Sequence, residues 1–193
     1  MNVEIICITD RSGSMNTIRA DVIGGYNRFL ADQKAVPGEA RLTYAHFSDE
    51  YEVLYEGIPL LDAAELTEES FVPHGMTALL DAIGHTLEKQ GERIAKGKWA
   101  DKVIVYIITD GGENASKEYK LSAPEKGVKE MIEWAQKNGW VFIFQAANQD
   151  AFAVGGSYGF AAATTQNFTA SSAGTRSAYA SASGMTTILR TTP

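Results

Sequence analysis

Two stretches of this chain are almost unbroken series of β-branched and apolar residues, and both close on the same tripeptide. Val3 to Thr9 (Val-Glu-Ile-Ile-Cys-Ile-Thr) runs into Asp10, and Lys102 to Thr109 (Lys-Val-Ile-Val-Tyr-Ile-Ile-Thr) runs into Asp110. Runs with so little polar alternation fit central strands of a parallel sheet that is covered on both faces. Such strands need helices above and below them, so the chain is constrained to an α/β architecture.

The rest of the sequence supplies those helices and more strands. Trp140 to Ala147 is a third apolar run. Arg41 to Phe47 and Tyr51 to Tyr55 alternate more and are separated only by Ser48-Asp49-Glu50, which predicts a hairpin at one sheet edge. Thr164 to Thr169 is a weaker sixth candidate. Ile18, Val22, Phe29 and Leu30 form a helical stripe stopped by Pro37-Gly38. Leu79, Ile83 and Leu87 mark a second helix, with Gly97 just past its predicted end. Val128, Met131, Ile132 and Ala135 mark a third, closed by Asn138-Gly139 where a left-handed cap is wanted. The resulting order, β-α-β-β-α-β-α-β-α-β-α, predicts an α/β sheet of six strands with helices on both faces.

With 193 residues, the chain is expected to form a single domain over 1–193. Its C-terminal strand and helix, from about residue 161, are rich in Ala, Ser and Thr: 21 of the 27 residues from Ala161 to Thr187 are Ala, Ser, Thr or Gly. A small-residue helix packed closely on the sheet is the expectation there, with a tail that orders on a partner as the alternative. The formal charge is −7, and the pI near 5.0 speaks against a nucleic-acid backbone as partner. No apolar run approaches the ~20 residues of a membrane span. The N-terminus enters a strand with neither a basic segment nor a cleavage site, so a cytoplasmic protein is expected. Cys7 is the one cysteine, which excludes an internal disulfide and a Cys-rich zinc site. Inside a central strand it reads as an inert buried thiol.

Ligands of open α/β sheets bind outside the carboxyl ends of the strands. Asp10 and Asp110 are delivered there, followed by the polar turns Arg11-Ser12-Gly13-Ser14-Met15 and Gly111-Gly112-Glu113-Asn114. A third turn, His74-Gly75-Met76-Thr77, precedes the second helix. Taken singly, an Asp or Ser at a strand-to-helix turn is an ordinary helix cap. Together, Asp10, Ser12, Ser14, Thr77 and Asp110 offer two carboxylates and three hydroxyls, the oxygen donors that hard divalent cations prefer. Residues two apart in Asp-x-Ser-x-Ser can point to one side of a turn. Hydroxyls in place of further carboxylates leave an ion attractive to one more anionic oxygen from outside.

Ile-Thr-Asp10-Arg-Ser12-Gly-Ser14-Met, Gly-Met-Thr77-Ala-Leu-Leu and Ile-Ile-Thr-Asp110-Gly resemble the von Willebrand factor A (vWA) domain. They match the three pieces of its metal-ion-dependent adhesion site (MIDAS), in the family's order. The resemblance extends over essentially the whole chain and is to the compact bacterial and phage type. It implies a doubly wound, mostly parallel sheet with one antiparallel edge strand. It further implies Mg²⁺ (or Mn²⁺) bound directly by Ser12 and Ser14, and by Thr77 directly or through water. Asp10 and Asp110 would act mainly through water and hydrogen bonds to those ligands. The last position would go to water or to a Glu or Asp carboxylate of a partner protein. Arg11, His74, Glu113 and Asn114 surround the site as candidate partner contacts, although Arg11 reads first as a solvated surface arginine. Asp81, one turn after Thr77, would orient that loop or favour the first helical turn.

A binding module is therefore expected, and not an enzyme. There is no Gly-x-Ser-x-Gly elbow and no phosphate-binding loop. A haloacid-dehalogenase-type Mg²⁺ phosphatase would need a second Asp where Ser12 stands. An EF-hand would need Gly where Met15 stands. Free-standing relatives imply an adaptor of a MoxR-type AAA+ ATPase or a stress-response system. His46 and His85 show no ligand spacing and read as packing or surface residues, and Tyr51 and Tyr55 read as facial packing.

Overall fold

The computed structural model describes residues 1–97 and 99–192. Its elements follow the order β1 (Val3–Asp10), α1 (Arg19–Ala35), β2 (Ala40–Phe47), β3 (Tyr51–Pro59), α2 (Leu79–Gly97), β4 (Lys102–Thr109), α3 (Val128–Lys137), β5 (Trp140–Ala146), α4 (Ala151–Tyr158), β6 (Thr165–Asn167) and α5 (Ser172–Thr191). The six strands make one sheet in the order β3-β2-β1-β4-β5-β6. All neighbouring pairs are parallel except β2 with β3. The predicted doubly wound sheet with an antiparallel edge is what the chain forms.

Period-two alternation divides the central strands between two cores. Ile5 and Cys7 of β1 face Tyr26 and Phe29 of α1, Tyr106 of β4 and Tyr179 of α5. Ile6 and Ile8 face the other way, towards Leu79 and Ile83 of α2, Val128 and Ile132 of α3 and Tyr158 of α4. Burial drives the Cys7 thiol well above its ordinary range, so it stays protonated. Glu4 is an acidic residue within β1: it is wholly buried and pairs with Arg93 of α2 at 2.5 Å. Removing Arg93 would leave that carboxylate uncompensated.

Element ends depart from expectation in a few places. β3 continues to Pro59 because irregular pairing with β2 lets the Thr43 hydroxyl take the Gly57 N–H at 3.0 Å. α2 runs through Gly97, where a stop was expected just before it. β6 is only three residues long, held by Phe144, Gln145 and Ala146 of β5. The small-residue tail is a helix: Tyr179 of α5 lies so close to Gly25 of α1 that a Cβ there would sit 2.3 Å from its ring. Tyr51 bonds Thr86 through its hydroxyl, and the His85 ring packs edge-on against Tyr119, so these residues pack as expected.

Candidate metal centre

The parallel register sets Asp10 at the carboxyl end of β1 beside Phe47 of β2, and Thr9 beside Ile108 of β4. Central placement buries Asp10 completely. Its Oδ1 accepts the Ser12 N–H at 2.6 Å, which turns the chain sharply, and its Oδ2 accepts the Thr109 hydroxyl at 2.6 Å. A 3₁₀ turn, Gly13–Ile18, follows and drives Met15 into the core. That anchor leaves Ser14 facing outward. Ser12 Oγ and Ser14 Oγ lie 3.1 Å apart, and the Ser14 hydroxyl donates to Asp110 Oδ1 at 2.6 Å.

Backbone hydrogen bonds lock the Thr77 loop to its neighbours. Gly13 N–H donates to Gly75 O at 3.1 Å, and His74 N–H to Arg11 O at 2.9 Å. Thr77 and Asn114 are paired reciprocally: Thr77 N–H donates to Asn114 Oδ1, and Asn114 N–H to Thr77 O. Gly75 adopts φ +70°, and a Cβ there would collide with Asp49, which accepts the Met76 N–H. Only glycine fits such a position. A Cβ on Gly111 would lie 3.4 Å from Thr77 Oγ1 and 3.8 Å from Ser14 Oγ. These two hydroxyls thus face one small space, with Ser12 and Asp110 at its edge.

Two carboxylates border that space, and burial weighs on both. Burial, with a further push from the Asp110 charge, raises Asp10 to about 6 against the pull of the Thr109 and Ser12 hydrogen bonds. Burial also raises Asp110, although the Ser14 hydroxyl opposes it. Among the described residues, no group of three or more His, Cys, Asp or Glu is placed to hold a metal. Any ion here would therefore be held by a mixed carboxylate–hydroxyl set, and an all-oxygen set suits Mg²⁺ or Mn²⁺ chemistry. The Ser14 hydroxyl donates its hydrogen bond to Asp110, so its oxygen acts as the acceptor towards Ser12 and keeps a lone pair for an ion. Both Asp10 oxygens are occupied by N–H and O–H donors, so its charge acts from behind the hydroxyls.

The surrounding residues fall differently. Arg11 is 8% exposed, not solvated: its guanidinium turns back to Glu52 of β3 at 3.4 Å. Glu52 also bonds His46 Nε2 at 2.8 Å, and burial lowers the pKa of that imidazole. His74 and Asn114 are exposed beside the site. Glu113 accepts from Leu80 N–H at the start of α2 and from Ala115 and Ser116 of its own loop, stapling the two loops together. Asp81 does the same from the helix side, taking the N–H groups of Lys117, Glu118 and Tyr119. Sequence reading missed Thr109, whose only signal was the repeated Ile-Thr-Asp. It also missed Asn148 and Gln149, which donate to Asp110 O and Gly111 O. Their signal was a polar Asn-Gln pair directly after a strand. Asn148 takes φ +57°, a conformation asparagine tolerates.

Solved structures of the same fold are known. The vWF domain of the type V pili tip protein Mfa5 from Porphyromonas gingivalis superposes with a TM-score of 0.66 over 96% of this chain and 95% of that one, at 13% identity. The chain has the vWA fold. Proximal thread matrix protein 1 of the mussel byssus, solved with a zinc-occupied MIDAS motif, matches with a TM-score of 0.68 at 15% identity. That alignment covers 96% of this chain, which spans 46% of the thread matrix protein. Manganese-loaded TRAP protein from Plasmodium vivax matches with a TM-score of 0.53 at 15% identity, over 77% of this chain and 58% of TRAP. No protein-family model and no curated protein matches the sequence.

Proposed function

We propose that the chain is a metal-dependent protein-binding module. Asp10, Ser12, Ser14, Thr77 and Asp110 hold Mg²⁺ (or Mn²⁺), and a Glu or Asp carboxylate of a partner protein completes the coordination. The observation that carries this reading is the Ser14 hydroxyl, within hydrogen-bond reach of both Ser12 and Asp110, 96 positions later in the chain. The zinc-occupied MIDAS motif named for one similar structure, and the manganese named for another, support a divalent ion as the ligand. When bound, the ion supplies a Lewis-acidic anchor for a carboxylate. The chain's own groups position that anchor: Thr109 and the Ser12 N–H fix Asp10, and Asn114 and Glu113 fix the Thr77 loop.

In this reading the protein is a binding module and not an enzyme: Ser12 and Ser14 bond each other and Ser14 donates to Asp110, an arrangement suited to ordering ligands. A MoxR-type AAA+ ATPase system in the cytoplasm is the partner class drawn from the sequence resemblance. The pili tip protein among the similar structures supports a second placement, on a surface fibre. Both use the same anchor.

Thermal unfolding with EDTA, then with Mg²⁺ or Mn²⁺ at several millimolar, tests the proposal. An ion at ~100 times its Kd stabilises by about 2.7 kcal/mol, which for this size raises Tm by about 5–10 °C. The rise is expected in the wild type and should vanish in Asp110→Ala. No rise with either ion, and none when millimolar glutamate or acetate stands in for the partner, overturns it.

A further inference from the structure

On the sheet face opposite α1 and α5, a groove of about 400 Å³ runs between α2 and α3 and the loop that leads into α3. Leu87, Met131, Ala135 and Trp140 give it an apolar lining. Trp134 stands beside them with 58% of its surface exposed, although it belongs to an amphipathic helix whose Val128 and Ile132 are fully buried. Every charged residue that lines the groove is acidic: Glu88, Glu92, Glu125 and Glu130. Among the described residues, the ion pair formed by these four is that of Glu92 with the exposed Lys96 one turn on, at 3.0 Å, and Lys129 lies near enough to Glu130 to favour its charge. Glu88 and Glu130 accept hydroxyls of Tyr119 and Ser122, which leaves their charge in place. The larger cavity on the other side of α2 differs, because Lys89 and Lys117 interrupt its carboxylates.

An exposed indole beside an apolar cleft is a typical anchor point of a protein interface. A rim of one sign selects a partner of the other. We infer that this groove docks a basic amphipathic segment of a partner protein, one or two of its Leu-, Ile- or Phe-type side chains entering between α2 and α3. Lys or Arg residues beside them meet Glu88, Glu92, Glu125 and Glu130. An arginine over the Trp134 ring adds a cation–π contact. A second copy of this chain is a poor occupant, since each copy carries −7 and like charges repel. The groove shares no residue with the candidate metal centre, so it is a second, metal-independent contact.

The test uses a 14-residue helix-forming peptide of Leu and Lys, and the same pattern with Glu for Lys, titrated into the full chain in EDTA. Peptide anisotropy gives affinity, and the tryptophan indole N–H resonances give location. The Leu/Lys peptide should bind at least about tenfold more tightly than the Leu/Glu peptide and shift the Trp134 resonance while leaving Trp99 in place. Trp134→Ala, and separately Glu92→Lys with Glu125→Lys, should each weaken it about tenfold. All three residues are exposed, so the folded state is not at risk. Equal affinity for both peptides, or unchanged affinity in both variants, overturns the inference. So does a dimer seen by sedimentation without peptide and lost in Trp134→Ala, because that assigns the groove to a second copy.

Discussion

Asp10 shows how a single carboxyl can report on the whole site. Its ordinary value is 3.8 and its folded value is about 6, chiefly because it is buried. The native state therefore keeps this proton at pH values where the unfolded chain has released it. The stability it contributes is complete below about pH 4 and is lost as pH rises through 6. In EDTA at pH 7, Asp10→Asn should accordingly be more stable than the wild type, by up to about 3 kcal/mol, with the gap closing by pH 4. Addition of Mg²⁺ should reverse the order, because an ion favours the carboxylate. Melting curves of both proteins at pH 4, 5.5 and 7 check this; a wild type that is the more stable at pH 7 in EDTA refutes it. Arg11 makes a second point at this scale. Its sequence position, between Asp10 and Ser12, suggested a solvated charge. Its guanidinium is instead occupied by Glu52 across the hairpin, a contact that depends on how β3 pairs and is invisible in the local sequence.

At the scale of elements, the contact between α1 and α5 turns on two adjacent glycines with opposite surroundings. Gly25 faces Tyr179, while Gly24 is exposed and a Cβ there would meet nothing within 4 Å. Gly25→Ala should therefore cost about 1–3 kcal/mol by overpacking. Gly24→Ala should gain about 0.5–1 kcal/mol, because alanine gives up less backbone freedom in a helix. Opposite shifts in Tm from one-methyl changes at neighbouring positions would identify the helix contact as the cause; equal shifts would exclude it. The buried side of the contact adds polar specificity. Gln33 Nε2 donates to Ser183 O at 3.0 Å, and Arg190 Nη1 to Gln33 O at 2.6 Å at the end of α1. The arginine there also complements the negative end of that helix. The high share of Ala, Ser, Thr and Gly in the tail is thus explained by close approach to another helix.

Across the whole molecule, strand position grades protection from solvent. β1 and β4 are flanked on both sides and buried over nearly their full length, whereas β6 has three residues and β3 lies at the other edge, half exposed. Amide hydrogen exchange should be slowest in β1 and β4, close to the global unfolding rate, and fastest in β6 and β3. Faster exchange in β4 than in β3 would contradict the two-sided core. The candidate metal loops sit directly on the slowest strands. A rigid base of this kind holds ligands in place while the loops above stay accessible. No helix among the described residues is long and apolar enough to cross a membrane.

The sequence by itself determined the strands, the order of elements and the residues delivered to the carboxyl ends of β1 and β4. Each of these rests on short-range signals: β-branched runs, helical spacing, glycine stops and the repeated Ile-Thr-Asp. The polar turn before α2 added Thr77 to these oxygen donors, and the family resemblance then read all five as one metal site. Only the tertiary structure decided which polar groups are spent on one another. Glu113 and Asn114 look like free surface groups in sequence, yet parts of both are consumed in fixing loops. Trp134 shows the reverse, an aromatic on a core-forming helix that the packing of α2 against α3 leaves outside. The physical reason is common to these cases: burial and hydrogen-bond partnership depend on contacts between segments tens of residues apart, and only the closed chain brings those segments together.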